Sequence, residues 1–290
     1  MICPRGGNRR SFSLRCSQGE LLLGKKTLVM GVLNVTPDSF SDGGLFFKPT
    51  RAIEHGLKMA EEGADIIDVG GESTRPGSDA ISPEEELERI IPVVAALSPQ
   101  LTIPISADTY KSRVAEEAIE AGAQIVNDIS GLRFDPQMPS VVVKYGCPVI
   151  MMHVKGTPKT MQDNPQYEDV IGEIITYFRE GIEILERAGG DREQVIVDPG
   201  IGFGKRAQDN LVILNRLNEL SVLGRPISVG TSRKSFIGAV LGRDVGDREI
   251  GTLASVAVSV VRGAHVVRVH EVAPARQVVD MVDAVSNAEA

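Results

Sequence analysis

The sequence has little of what a nucleic-acid-binding surface requires. Its 290 residues include no tryptophan, and aromatic residues make up only 4% of the chain, which argues against a platform for stacking bases. Basic residues are the minority, 31 against 39 acidic residues, and the formal net charge is −8. Because binding many phosphates needs a net cationic surface, we expect no nucleic-acid partner. A small, local anion site remains compatible with this balance.

Cysteines and long apolar runs are scarce as well. The three cysteines, Cys3, Cys16 and Cys147, form neither a CxxC pair nor a metal-binding spacing. We therefore expect reduced thiols and a cytoplasmic protein. No stretch reaches the roughly 18 to 20 uninterrupted apolar residues that span a bilayer, so we expect no association with a membrane.

What the sequence does contain is a regular alternation of short apolar runs and longer amphipathic segments. The predicted strands are residues 28–34, 65–71, 103–108, 124–128, 148–153, 194–198, 226–231 and 266–270. The predicted helices between and after them are residues 51–62, 83–97, 111–121, 136–145, 167–188, 209–220, 247–262 and 275–285. Strands interleaved with helices indicate a parallel sheet. Eight such units in a chain of this length favour a single (β/α)8 TIM barrel, with an open doubly wound sheet as the alternative.

The first residues do not follow this alternation. Residues 10–26 have the pattern of a β-hairpin, which we expect to close the N-terminal mouth of the barrel. We therefore divide the chain into an N-terminal tail and hairpin, residues 1–26, and one barrel domain, residues 27–290. No second synthase or kinase domain is expected.

Most predicted strands are apolar along their length but end in a polar residue. The polar residues at these ends are Asn34, Asp68, Asp108, Asn127, Asp128, His153, Asp198, Arg268 and His270. A single such residue is usually the N-cap of the next helix, and a lone histidine can be structural. Polar ends on about seven strands of eight exceed what independent caps would give, and in a barrel they converge on one face. The pattern therefore predicts a binding pocket, in which Arg268 needs an anion or a carboxylate partner.

The polar ends suggest a ligand with two unlike halves. Carboxylates and amides can pair with the N–H edge of a guanidine-like heterocycle, whereas the cations Arg75, Arg233, Lys234 and Arg268 can bind phosphate oxygens. A flat polar head with a diphosphate tail satisfies both halves. The glycine-rich segment at residues 200–205 is neither a Walker A sequence nor a dinucleotide fingerprint. We interpret it as a loop with little side-chain bulk that lets Phe203 approach the ligand.

Two long segments resemble the signatures of the dihydropteroate synthase family. They are GVLNVTPDSFSDGG at residues 31–44 and DIIDVGGESTRPG at residues 65–77. Shorter matches occur at residues 105–109, 127–129, 152–153, 198–205, 232–235 and 268–270, so the resemblance covers roughly residues 27–285. It implies a pterin-binding (β/α)8 barrel, usually a homodimer. It also implies a transferase of folate biosynthesis that condenses (7,8-dihydropterin-6-yl)methyl diphosphate with 4-aminobenzoate and releases diphosphate.

The resemblance also implies roles for individual residues. The pterin pocket would be lined by Asp108, Asn127, Asp198 and Lys234. Asn34 would help to hold a Mg²⁺ ion bound to the diphosphate, which Arg268 and His270 would grip. The 4-aminobenzoate side, which sulfonamides occupy by mimicry in this family, would be formed by Thr74, Arg75, Pro76, Phe203 and Ser235. The residues expected to act in catalysis are Asp108, Lys234, Arg268 and His270.

Three alternatives share parts of this pattern. A corrinoid-linked methyltetrahydrofolate methyltransferase would have a similar barrel, but a methyl donor has no diphosphate to be held by Arg75 or by residues 232–234. A non-catalytic pterin-binding relative is disfavoured by the intact Asn34, Asp108 and Lys234. A phosphosugar barrel is disfavoured by the number of carboxylates in the predicted pocket.

Overall fold

The computed structural model describes residues 9–17, 19–36, 48–75 and 77–288. The strands in these ranges are β1 (Phe12–Cys16), β2 (Gly19–Leu23), β3 (Leu28–Asn34), β4 (Ile66–Gly70), β5 (Ile105–Asp108), β6 (Ile125–Asp128), β7 (Val149–Met152), β8 (Val195–Asp198), β9 (Ser228–Gly230) and β10 (Val266–Val269). The helices are α1 (Lys48–Glu61), α2 (Pro83–Leu97), α3 (Ser112–Glu120), α4 (Met138–Tyr145), α5 (Val170–Arg187), α6 (Ala207–Asn215), α7 (Ser235–Leu241), α8 (Glu249–Val261) and α9 (Val272–Ser286).

Eight of the strands form one parallel sheet that closes on itself. Its order is β8-β7-β6-β5-β4-β3-β10-β9, and every pairing within it is parallel. Closure takes place between β8 and the residues before β9, where the amide of Val197 donates to the carbonyl of Pro226 at 2.9 Å. A parallel bridge joins Val197 to Ile227 at the same place. The predicted (β/α)8 barrel is confirmed.

The helices cover the outer face of the barrel because each presents one apolar side to it. Helix α2 illustrates how the sequence sets these elements: the Ser82 hydroxyl accepts from the amide of Glu85, and Pro83 occupies the first turn, as expected for a helix start. One helix was not predicted. The short α7 lies between β9 and α8 and has no side-chain cap bond at its start, so neither length nor capping distinguished it from a loop.

The hairpin closes the end of the barrel at which the strands begin, as expected. Strands β1 and β2 pair antiparallel from Phe12 opposite Leu23 to Cys16 opposite Gly19. The buried side chains of this hairpin pack against the first residues of the barrel strands: Leu14, Cys16, Leu21 and Leu23 meet Leu28, Met30, Ile66, Ile125, Ile150, Ile196 and Val266. The division of the chain at residue 26 stays a prediction, because residues 1–8 and 18 lie outside the described part.

Candidate active site

The carboxyl ends of four strands contribute to one buried network of charges. Arg268, on β10, donates from Nε to Asp68 Oδ2 at 2.7 Å and from Nη2 to Asp108 Oδ2 at 2.6 Å. Asn127, on β6, donates from Nδ2 to the same oxygen of Asp68 at 2.9 Å. The need of Arg268 for a carboxylate partner is therefore met twice. Asp68 is fully buried, and its Oδ1 has no hydrogen-bond partner among the described residues.

Strand register explains why these side chains meet. Gly70, Asp108 and Asn127 are paired across β4, β5 and β6 at the ends of the strands, and paired residues of a parallel sheet face the same side.

Burial raises the pKa of Asp108 to about 7, against the opposing charge of Arg268. Burial also opposes the charged form of Arg268, but Asp68 and Asp108 outweigh it and raise the pKa of the guanidinium.

A second buried carboxylate, Asp198, lies at the end of β8 beside Lys234. Asp198 accepts from the amide of Gly200 at 2.8 Å and from the hydroxyl of Ser228 at 3.3 Å. Burial raises its pKa, and Lys234 opposes that shift. The Lys234 ammonium donates to the carbonyl of Ile201 and lies 4.7 Å from the centre of the Phe203 ring. Burial lowers the pKa of Lys234 to about 8, with Asp198 opposing.

Positive charge collects around His270, just after β10. Its Nδ1 lies 2.9 Å from the hydroxyl of Ser232. Burial lowers the pKa of His270 to about 3, assisted by the charges of four neighbours: Arg268, Arg233, Arg75 and Lys234. A neutral imidazole surrounded by cations is a suitable place for an anion, because the neighbours supply the charge and the ring supplies a hydrogen bond. The cleft thus combines buried carboxylates with cations, and Arg268 and Lys234 act on both the carboxylates and His270.

Comparison with known proteins identifies the family of this chain. Residues 30–270 match the model of a family described as pterin binding enzyme. The chain belongs to the pterin-binding enzyme family. A dihydropteroate synthase from Synechocystis sp. is 48% identical to it over 262 residues, which are 90% of this chain and 91% of the relative.

Two solved structures extend the likeness to three dimensions. Dihydropteroate synthase from Xanthomonas albilineans in complex with 7,8-dihydropteroate matches with a TM-score of 0.86 and 38% identity, covering 96% of this chain and 100% of that one. Dihydropteroate synthase from Yersinia pestis with a sulfonamide drug matches with a TM-score of 0.88 and 40% identity, covering 94% of this chain and 98% of that one. The predicted family resemblance is confirmed.

Most of the residues that the pterin-binding resemblance selected lie around this cleft. The structure brings together Asp108, Asn127, Asp198, Phe203, Lys234, Arg268 and His270. Ser235 is the first residue of α7, directly after Lys234. Thr74 and Arg75 lie in the loop after β4, and Arg75 is close enough to His270 to influence its pKa. Pro76 and most of the first signature, residues 37–44, lie outside the described residues.

Asn34 ends β3, next to Gly70 of β4. Its side chain is half-buried at the carboxyl end of the strand.

The sequence did not reveal two supporting groups. Asp68 was noted as a polar strand end, but its role as the shared partner of Arg268 and Asn127 depends on contacts across 200 and 59 residues of chain. Lys205 ends the glycine-rich loop and is almost completely buried. The sequence shows it only as a lysine directly after a glycine-rich segment, and nothing in that pattern indicates burial.

Proposed function

We propose that the chain is a dihydropteroate synthase, a transferase of folate biosynthesis. It condenses (7,8-dihydropterin-6-yl)methyl diphosphate with 4-aminobenzoate and produces 7,8-dihydropteroate and diphosphate. The observation that carries this proposal is the single cleft that brings the carboxylates Asp108 and Asp198 together with the cations around His270. A flat nitrogen-rich ring with a diphosphate tail needs both kinds of group at once.

The proposed pterin site lies at the buried carboxylates and Asn127. A pterin presents an amino group and a ring N–H in a guanidine-like edge, which a carboxylate such as Asp198 can accept through two parallel hydrogen bonds. Asn127 offers amide groups beside it, and Asp68 holds Asn127 in place from below. The Lys234 ammonium, already aligned by the carbonyl of Ile201, can donate to an acceptor of the ring.

The chemical step separates charge, and the cleft is built to stabilise both products of that separation. Departure of diphosphate leaves positive charge on the pterin methylene carbon, which the Asp108 carboxylate can stabilise. Negative charge grows on the leaving group, toward Arg268, Arg75 and the neutral His270. Preorganised charges of this kind are usually the largest contribution to catalysis. The aniline nitrogen of 4-aminobenzoate then forms the C–N bond and releases one proton to water or to the departing diphosphate, a step that requires orientation more than a strong base.

The residues present fit a Mg²⁺ ion that the substrate brings with it. In the described part of the chain, no group of three or more histidine, cysteine, aspartate or glutamate side chains is arranged to hold a metal. Mg²⁺ commonly binds through a few protein oxygens, water and substrate phosphates, and the amide oxygen of Asn34, at the carboxyl end of β3, is such a donor. When bound, the ion neutralises charge on the diphosphate.

A substitution at Asn34 tests the metal proposal. Asn34→Ala should raise the Mg²⁺ concentration that gives half-maximal turnover, because one ligand to the ion is lost. The measurement is a Mg²⁺ titration of the initial rate at saturating substrates. A Mg²⁺ dependence identical to that of the unmodified protein would contradict the assignment.

The second substrate is expected on the side of the cleft that Phe203 faces. We assign 4-aminobenzoate, and sulfonamides that mimic it, to the space bounded by the Phe203 ring, the start of α7 at Ser235 and the loop that carries Thr74, Arg75 and Pro76. What supports this assignment is the contact of Phe203 with Lys234, which joins the aromatic side chain to the pterin site. A ring bound there would meet the methylene carbon at the mouth of the barrel.

The decisive experiment supplies both substrates and Mg²⁺ and follows each product. We expect dihydropteroate and diphosphate to form in equal amounts, and a sulfonamide to inhibit in competition with 4-aminobenzoate. Pterin binding without turnover would indicate a non-catalytic relative. Methyl transfer from methyltetrahydrofolate to a corrinoid would indicate the methyltransferase instead.

We also propose that the enzyme is a homodimer built on α6, α7 and α8. These helices border a mainly apolar groove of about 460 Å³ that includes Leu211, Val240 and Val258, and Ile250 nearby is 83% exposed. The exposed Arg243–Asp247 ion pair follows α7 in the chain and offers both signs of charge, which a twofold axis can match in a second copy. Sedimentation should show a dimer, and Val258→Glu a monomer. A monomeric unmodified protein would contradict the proposal.

The cytoplasm is the proposed location. Cys16 and Cys147 are free, buried thiols, as expected where thiols stay reduced. None of the helices in the described ranges has the length and apolar character to cross a membrane.

A further inference from the structure

Lys205 is a buried lysine at the end of the glycine-rich loop. Only 3% of the residue is exposed, and no ion pair of the described part of the chain includes it. Its Nζ instead meets three neutral acceptors: the carbonyl of Phe203 at 2.9 Å, the carbonyl of His153 at 3.3 Å and the ring Nδ1 of His153 at 2.9 Å. Burying a charged side chain is unfavourable unless every donor is used, so the three contacts indicate a specific task.

The three acceptors belong to two different loops at the open end of the barrel. His153 follows β7, and Phe203 lies in the glycine-rich loop after β8. The two loops begin side by side, since the amide of His153 donates to the carbonyl of Asp198, the last residue of β8, at 2.9 Å. Gly200 allows this closeness, because a Cβ at that position would lie 2.0 Å from the carbonyl oxygen of His153. Lys205 thus attaches the second loop to the first from within the barrel. Two side chains of the segment after β7 attach it from outside: Tyr167 donates to the carbonyl of Gly204 at 2.7 Å and Gln162 to that of Gly202 at 2.8 Å.

The fastened loop reaches the active site directly. It carries the carbonyl of Ile201, which accepts from Lys234, and the ring of Phe203, against which the Lys234 ammonium packs. A Cβ on Gly202 would lie 3.1 Å from the side chain of Lys234. A shift of this loop would therefore move the aromatic wall of the cleft and the groups that align Lys234.

We propose that Lys205 is a positioning residue that holds the Phe203 loop in register with the pterin site and thereby shapes the 4-aminobenzoate side of the cleft. This inference rests on the proposed function. Lys205 itself contacts neither substrate, since the Phe203 carbonyl and His153 use its donors. His153 is its partner in the same task.

The chemistry of the pair suits a fixed contact. Burial, followed by the charge of Lys205, lowers the pKa of His153 well below its ordinary value, so the imidazole is neutral and Nδ1 can accept. Burial lowers the pKa of Lys205 as well. The contact persists if the ammonium loses a proton, because a neutral amine can accept from Nδ1–H and still donate to both carbonyls. The fastening is therefore insensitive to pH.

Four substitutions test the inference in the full-length enzyme. Lys205→Met keeps the length of the side chain and removes its donors. Lys144→Met is the matched control, because Lys144 is an exposed lysine of α4 that pairs with Glu116 on the outside of the barrel. His153→Leu removes the acceptor, whereas the side-chain oxygen of His153→Asn can replace Nδ1. Each variant is compared with the unmodified enzyme by kcat, KM for both substrates, sulfonamide inhibition and Tm.

We expect Lys205→Met and His153→Leu to raise the KM for 4-aminobenzoate and the inhibition constant of the sulfonamide by at least about tenfold, because misplacing a wall of the site by a fraction of an ångström weakens binding. The KM for the pterin diphosphate should rise by a smaller factor, about threefold. Lys234 and Asp198 contact this loop, whereas Asp108 and Asn127 lie on other strands. Lys144→Met and His153→Asn should stay close to the unmodified enzyme. The rise should be the same at each pH tested.

Other outcomes overturn the inference. Equal effects on both KM values, or a lower Tm and less active protein with both KM values unchanged, would show that Lys205 supports only the fold. If Lys205→Met does not fold, the His153 pair decides: Asn and Leu behaving alike would overturn it. An unmodified protein that forms no dihydropteroate would instead refute the proposed function, and the two failures are therefore distinguishable.

Discussion

The two ends of the barrel are built from the same strands but have opposite chemistry. On β4, Ile66 packs against the hairpin and Asp68, two residues later, anchors the active site. The same step separates Ile125 from Asn127 on β6, Ile196 from Asp198 on β8 and Val266 from Arg268 on β10. Residues two apart on a strand face the same side, so the interior changes from an apolar layer to a charged layer within one repeat.

The difference shows how stability and activity are separated in this chain. The lower layer needs no partner other than apolar neighbours, and the hairpin supplies them. The upper layer buries Asp68, Asp108 and Asp198 at a cost in free energy that Arg268 and Lys234 offset only partly, since burial still raises the pKa of Asp108 and Asp198. Substitutions in the upper layer should therefore affect turnover first, and those in the lower layer the free energy of unfolding.

The largest effect is expected in the upper layer, at Lys234. Lys234→Met should lower kcat by about a thousandfold, corresponding to about 4 kcal/mol, because a preorganised charge is lost from the reacting region. The fold should be unaffected, because the substitution removes a cation whose pKa is lowered by burial. Steady-state rates and a thermal melt measure the two quantities. A loss of Tm proportional to the loss of rate would show that Lys234 is structural.

The counterpart in the lower layer is Leu23 of the hairpin. It is 2% exposed and packs within the bottom cluster. Leu23→Ala should reduce the free energy of unfolding by about 3 kcal/mol, the usual cost of a buried cavity of this size, and leave kcat per folded molecule unchanged. Leu22 is 64% exposed on the same strand, so Leu22→Ala is the control. A change of kcat at 25 °C in Leu23→Ala would contradict the conclusion that the hairpin end affects stability without affecting turnover.

The sequence allowed much of this architecture to be predicted, because its signals are local. Alternation gave the eight strands, and polar residues at their ends placed Asp108, Asn127 and Asp198 on one face. The contacts among these residues could not be predicted. Arg268 pairs with carboxylates 200 and 160 residues away, and Lys205 meets His153 across 52. Such contacts depend on strand register and on which loops touch, and a single sequence records neither.

A smaller effect is expected where the loop after β4 is attached to the barrel. Tyr110 donates from its hydroxyl to Glu72 at 2.8 Å, and Lys111 pairs with the same carboxylate. Glu72 precedes Thr74 and Arg75, so the bond helps to place the proposed 4-aminobenzoate loop. Tyr110→Phe should raise the KM for 4-aminobenzoate about fivefold, the equivalent of about 1 kcal/mol for one hydrogen bond.

Tyr145 is a suitable control for that measurement. Its hydroxyl donates to Glu120 at 2.7 Å on the outside of the barrel, so Tyr145→Phe removes the same kind of bond away from the cleft. Its KM values should stay at those of the unmodified enzyme. Equal KM values for both variants would show that Glu72 does not position the loop.

The smallest effect concerns pH, and it separates activity from stability at one residue, Lys234. Burial lowers the pKa of Lys234 from 10.5 to about 8. If the ammonium form is required, kcat/KM for the pterin substrate should fall about threefold between pH 7.5 and 8.5. The contribution of the same group to stability changes in the opposite direction. Between pH 8 and 10.5 the unfolded chain holds the proton that the folded chain has released, so this contribution rises with pH.

Lys234→Arg isolates that titration, because a guanidinium keeps its proton throughout this range. The variant should be less active than the unmodified enzyme but show a flat kcat/KM between pH 7.5 and 8.5. The rise in stability due to residue 234 above pH 8 should also be lost. If the threefold decline persists in Lys234→Arg, another group controls it. The charged layer would then depend on a titration elsewhere in the cleft.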